Sequence, residues 1–220
     1  MPTLTAVILG RHSVFRPVLA LAATLGLAAC ASISEDECRV MDWRTVGYED
    51  GAAGYGPERL TWRREACAPY GVAPDLDAYR SGRDEGLAEF CVPRNGFRLG
   101  AAGGAYSGAC RGAIADEFLT AYETGRQLWR LERRVDETIS GIAARRDEVV
   151  RIDQLLSEQG LFIVGERTTT DERAAALLRM KELADRRSEA LVELDALERV
   201  LPEHEAELEA YRATLRYPGS

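Results

Sequence analysis

Residues 128–156 read LWRLERRVDETISGIAARRDEVVRIDQLL, and in them Leu128, Leu131, Val135, Thr138, Ile142, Arg145, Val149, Ile152 and Leu156 recur at alternating steps of three and four. An α-helix turns once in about 3.6 residues, so this spacing draws one stripe along one face, and a stripe kept this long is a coiled-coil seam. Gly160 and Gly165 then interrupt the pattern, and Thr170 or Asp171 is placed to cap a second long helix. Its expected stripe is Leu177, Met180, Ala184, Arg187, Leu191 and Leu194. The phase then slips to Leu197, Leu201, His204, Leu208, Tyr211 and Leu215, with a kink expected near Pro202. Laid antiparallel, Leu156 faces Leu177, Ile152 faces Met180 and Leu131 faces Leu201, with the fold-back near Glu166. The expectation is an antiparallel coiled-coil hairpin over residues 113–217 with its tip near 160–170; a parallel intermolecular coiled coil is the alternative.

At that tip stand four consecutive apolar residues, Leu161-Phe162-Ile163-Val164. A solvated turn normally uses Asn, Asp, Ser or Gly. The run is therefore a candidate partner contact, unless Phe162 and Val164 fold back and cap the last coil layer around Leu156 and Leu177.

Residues 38–112 differ in character, being rich in Gly, Cys and aromatic residues. Asp42 is placed to cap a helix from Trp43 to about Ala53, Pro57 to open one reaching about Ala68, and Asp75 to cap one ending near Phe90. Gly47 and Gly51, and likewise Gly82 and Gly86, stand four apart inside these helices. Each interior Gly costs about 1 kcal/mol relative to Ala, and close helix–helix approach is the usual compensation. Tyr48-x-x-Gly51, Tyr79-x-x-Gly82 and Tyr122-x-x-Gly125 each put a ring and a Gly on one helical face, for packing or for a ligand cleft. The run from Asn95 to Gly108 reads as turns or a small hairpin; without Gly-Lys-Ser/Thr it is not a phosphate loop.

Cys38, Cys67, Cys91 and Cys110 form an even set, with no C-x-x-C pair, and past the expected signal segment one His remains, His204, far downstream. Two disulfides are expected rather than a metal site. Four cysteines allow three connectivities. A turn near Gly54–Gly56 brings residue 67 back toward Cys38, and Cys91 and Cys110 bracket one Gly-rich loop, which favours Cys38–Cys67 and Cys91–Cys110.

The ordered set Cys38-x3-Asp42-Trp43-x3-Gly47-x2-Asp50-Gly51-x2-Gly54, Cys67-x3-Gly71-Val72-x-Pro74-Asp75-x3-Tyr79-x2-Gly82-Arg83-x2-Gly86-Leu87, Phe90-Cys91-x-Pro93-x-Asn95-Gly96 and Gly103-x2-Tyr106-x-Gly108-x-Cys110 resembles the proteobacterial lipoprotein family catalogued as domain of unknown function 2799. The likeness covers roughly residues 38–132. Arg111 stands where that family tends to have Pro. The resemblance implies an address and an architecture and brings no activity.

The N-terminus carries the same address. Arg11, His12 and Arg16 form a basic segment, and the apolar run Val18–Ala29 is shorter than the roughly 20 residues a membrane-spanning helix needs. It ends in Leu27-Ala28-Ala29-Cys30, which resembles a lipobox. The expectation is a signal peptide over 1–29, lipid on Cys30 and a polar tether over 30–37. With Ala31 rather than Asp next, an outer-membrane, periplasm-facing destination is expected. Removing Arg11 and Arg16 takes the net charge from −8 to −10, which disfavours nucleic acid.

No catalytic, cofactor-binding or metal-ligating set is readable, and no cofactor is expected. His204 lies on the second seam, so a Ser or Cys nucleophile lacks a base. The functional expectation is a non-enzymatic interaction lipoprotein: membrane-bound through Cys30, with another envelope protein or the cell wall as partner. Two rivals are a small-ligand or cell-wall module in the 38–132 region using Tyr48, Tyr79 and Tyr122, and a hydrolase using Asp75 and Asp84.

Overall fold

The structure, a computed structural model, describes residues 33–215, so the signal-like segment and Cys30 lie outside the described residues. Those residues form seven α-helices and no strand: α1 (Glu35–Val40), α2 (Trp43–Ala52), α3 (Glu58–Cys67), α4 (Leu76–Phe90), α5 (Pro93–Ala101), α6 (Ala113–Ile163) and α7 (Thr170–Arg212). The expected mainly helical architecture is observed: a disulfide-braced module followed by a long helical hairpin. Part of the expected tether is the short helix α1, closed by a capping box in which Ser34 and Glu37 exchange hydrogen bonds. The Asp42 carboxylate accepts from the amides of Arg44 and Thr45, and Asp75 accepts from Ala78.

Helices α2 and α4 pack backbone to backbone. A Cβ on Gly47 would overlap the Tyr79 carbonyl, one on Gly51 the Arg83 carbonyl, one on Gly82 the Arg44 carbonyl and one on Gly86 the Tyr48 carbonyl. Helices α5 and α6 repeat the arrangement: Gly96 abuts the Phe118 carbonyl, Gly100 that of Tyr122, and Gly125 that of Phe97. The correspondence holds residue by residue. Positions 47, 51 and 54 map onto 96, 100 and 103; positions 79, 83, 86 and 90 map onto 118, 122, 125 and 129. Gly54 and Gly103 turn the chain with φ of 68° and 73°, which a side chain would strain, and lie against the rings of Phe90 and Trp129. The Cys38–Cys67 disulfide ties α1 to the end of α3, and the Cys91–Cys110 disulfide ties the segment before α5 to the segment before α6. The module is thus two copies of one unit, Gly-aromatic-x-x-Gly-Ala-Ala-Gly followed by a partner helix.

This duplication corrects the reading of residues 95–108. Pro93 opens helix α5, which ends at Ala101, because the cost of Gly96 and Gly100 is offset by burial of both against α6; turns follow only over 102–108. Phe118, fully buried, joins the units: its ring meets Phe90 at 5.3 Å and Tyr106 at 5.0 Å between centroids.

Helix α6 starts at Ala113, and its first turns pack on α5 as half of the second unit. Beyond them α6 pairs with α7. Its seam is the expected one: Leu128, Leu131, Val135, Thr138, Ile142 and Ile152 are buried. The seam of α7 differs. Ala176 and Ala190 are buried whereas Leu177 and Leu191 are exposed, so the inward stripe runs Ala176, Met180, Leu183, Arg187, Ala190, Leu194, Leu197, Leu201, His204, Leu208 and Tyr211. This stripe keeps alternating steps of four and three without a phase slip, and α7 continues through Pro202. Facing residues also lie about two turns further along α7 than expected: Thr138 meets His204, Gly141 meets Leu197 and Asp153 meets Arg187. A heptad pattern repeats every two turns, so periodicity alone leaves such a shift open. Helix α6 also passes through Gly160, which has nothing within 4 Å, and stops only at Ile163.

Candidate functional site

Two places draw attention. The first is the far end of the arm. Leu161 is 74% exposed, Val164 75% and Leu178 71%, with Phe162, Leu155 and Leu177 also exposed. Ile163 is half-buried. The reversal itself is held by polar contacts: Thr168 donates to the Phe162 carbonyl, Arg173 to that of Gly165, and Thr169 and Glu172 form a capping box that lowers the Glu172 pKa. The apolar side chains are therefore not what closes the turn.

The second place lies where the two units meet. Asp50 is buried at 1% exposure, because α2 presents it to α3 and α4. Both its oxygens accept from Arg63, at 3.2 and 2.9 Å, and one accepts from the Tyr79 hydroxyl at 3.0 Å. Burial, together with the Asp50 charge and hydrogen bond, pushes the Tyr79 pKa up to about 12. Arg59 stands 3.8 Å from the same carboxylate and over the rings of Tyr55 and Trp62. Arg83 donates to the Tyr55 carbonyl, but its Nε is buried without a hydrogen-bond acceptor among the described residues.

Above Tyr79 opens a cavity of about 670 Å³. Arg80, Arg83, Arg111 and Asp84 supply its charges; Leu60, Leu87, Ile114 and the Cys91–Cys110 disulfide are among its apolar walls.

The expected site residues separate. Of the three tyrosines only Tyr79 lines the cavity. The Tyr48 hydroxyl donates to Glu89 at the surface, and that of Tyr122 to the Gly104 carbonyl in the second unit. Asp75 is occupied as a cap, and Asp84 stands in the cavity wall. No trio of His, Cys, Asp and Glu is gathered to hold a metal, and no helix is long and apolar enough to cross a membrane, among the described residues. Arg80 and Arg83 stand one turn apart on α4, but Arg111 joins them only through the packing of the two units, so the cluster escaped sequence reading.

A family model described as protein of unknown function (DUF2799) matches residues 42–127. Over these residues the chain is similar to the DUF2799 domain. This domain begins at the cap of α2 and ends in α6, so it takes in both Gly-packed helix pairs and the cavity between them. The rest of the arm lies beyond the DUF2799 match. No curated protein and no solved structure matches the chain.

Proposed function

We propose that the protein is a lipid-anchored, non-enzymatic adaptor of the cell envelope, in which the DUF2799 domain is the base and the hairpin presents a contact surface away from the membrane. The observation that carries this reading is the apolar cluster at the far end of the arm: Leu161, Phe162, Val164, Leu177 and Leu178, exposed at the end of a charged shaft. Contiguous exposed apolar side chains mark contact surfaces, and their chemistry favours a protein groove over polar cell-wall glycan. From Leu131 to Ile163 the arm reaches about 50 Å at 1.5 Å per residue.

The address rests on the sequence around Cys30 and is supported by the pairing of the four later cysteines, which suits an oxidising compartment such as the periplasm. Outer-membrane attachment follows from Ala31 after the lipid-bearing Cys30. Cys30→Ser is expected to release the protein from membranes or to leave the precursor uncut. A mature-sized, membrane-bound variant would refute the anchor. The adaptor role is tested separately by Leu161→Ser with Phe162→Ser. The expected result is loss of partner capture with little change in melting temperature.

A further inference from the structure

The cavity between the two units has a chemistry that the adaptor reading does not use. We infer that it binds a small organic anion, a phosphate or carboxylate carrying a short apolar group, with Arg80, Arg83 and Arg111 holding the charge. The inference goes beyond the proposed docking of the arm and does not depend on it.

Charge is the first argument. Three arginines and one carboxylate, Asp84, line the cavity, leaving two positive charges in excess. The nearby acid, Asp50, does not offset them, because Arg63 already engages both of its oxygens. Arg111 makes no ion pair or hydrogen bond among the described residues, and Arg80 has only an exposed contact to Asp77 at 3.9 Å. Guanidinium groups present paired donors that match carboxylate and phosphate oxygens.

The second argument is an orphaned donor. Buried polar groups are almost always hydrogen-bonded. The buried Nε of Arg83, a residue of the cavity wall, has no acceptor among the described residues. An anion seated beside Arg83 would draw on this unspent capacity.

Shape and the remaining walls are the third. At about 670 Å³ the cavity falls within the roughly 300–1,000 Å³ of small-ligand sites. Leu60, Leu87, Ala88 and Ile114 face it beside the arginines, so a ligand with an apolar group gains what inorganic phosphate cannot. The walls come from both disulfide-closed units, which fixes their spacing.

The experiment is calorimetric titration of the purified, disulfide-intact protein with hexyl phosphate, hexanoate, hexanol and inorganic phosphate, with amide NMR to locate the site. Hexyl phosphate or hexanoate is expected to bind and to shift the amides of Leu87, Arg111 and Ile114. Hexanol and inorganic phosphate are expected to bind at least tenfold more weakly. Arg80→Gln with Arg111→Gln, both at exposed positions, should weaken binding at least tenfold with the fold intact by circular dichroism; Arg83→Gln is the second variant. Phosphatidylglycerol vesicles separate the sources. Recruitment of protein lacking its lipid anchor, reduced in the same double variant, assigns a lipid headgroup; solution binding without recruitment assigns a soluble ligand. Absence of binding by both anionic probes, equal binding by the double variant, or inorganic phosphate binding as tightly as hexyl phosphate would overturn the inference.

Discussion

Gly86 sits against the carbonyl of Tyr48 so closely that a single methyl group on its Cα would overlap that oxygen. The same contact recurs between Gly125 and Phe97 in the second unit. These contacts set how near the helices lie, and hence where the arginines of the cavity and the base of the arm are held.

Gly86→Ala and Gly100→Ala are therefore expected to destabilise the protein. Overpacking typically costs about 1–3 kcal/mol, against a gain of about 1 kcal/mol in helix propensity. The contact is backbone on backbone, so no side chain can yield, and a net loss of up to about 2 kcal/mol is expected. Gly160→Ala is the control, since this helical glycine has nothing within 4 Å. It should stabilise by up to about 1 kcal/mol. Urea unfolding of the three variants checks the contrast, and a stable Gly86→Ala protein would count against the close approach.

The two disulfides close loops of 29 and 19 residues. On the loop-entropy model each contributes about 3–4 kcal/mol. Cys38→Ala with Cys67→Ala, and Cys91→Ala with Cys110→Ala, should each lower the unfolding midpoint. Non-reducing peptide mapping of the unaltered protein should recover these two pairs; a peptide joining Cys67 to Cys91 would contradict them.

The seam of α7 gives a sharp pair of substitutions. Leu208→Ala removes a side chain that is 6% exposed and packed in the cluster with Leu128, Leu131 and Val135. It should cost about 2–5 kcal/mol. Leu177→Ala removes one that is 57% exposed and should change stability by no more than about 0.5 kcal/mol. In thermal melts, a loss for Leu177→Ala as large as that for Leu208→Ala would return Leu177 to the seam expected from the sequence.

That seam shows where sequence reading stops. On α6 the inward positions hold the larger apolar residues, so pattern and packing agree. On α7 the outward Leu177 and Leu191 are more apolar than the inward Ala176 and Ala190, so a reading by hydrophobicity misplaces these positions by one residue while keeping Met180, Arg187 and Leu194 on the stripe. Helices α2 to α4 were legible because Asp42, Pro57 and Asp75 carry their own start signals. Helix α5 was not, because Gly96 and Gly100 disfavour a helix until α6 lies against them. The duplication was present in the letters, as Gly47-Tyr48-x-x-Gly51-Ala52-Ala53-Gly54 and Gly96-Phe97-x-x-Gly100-Ala101-Ala102-Gly103. It is masked by the differing spacers that separate the two helices of each unit.

Tyr79 ties stability to alkaline pH. Its pKa is raised to about 12 by burial and by Asp50, so the neutral phenol is the form the fold favours. The stabilisation is fully present below the unfolded pKa near 10 and is lost as pH rises through about 12. The urea midpoint of the unaltered protein should fall over this window more steeply than that of Tyr79→Phe, which lacks the phenol. Equal alkaline slopes would show that Tyr79 is not the group responsible.

The central claim is that the far end of the arm is the working surface of an envelope-anchored protein. Photo-cross-linking residues placed at Leu161, Val164 and Leu178, and at the shaft positions Arg133 and Glu189 as controls, test it in intact cells. The account predicts discrete adducts to another envelope protein from the tip positions and none from the shaft. Adducts from the shaft alone, or none from the tip in a folded, membrane-bound protein, would contradict it.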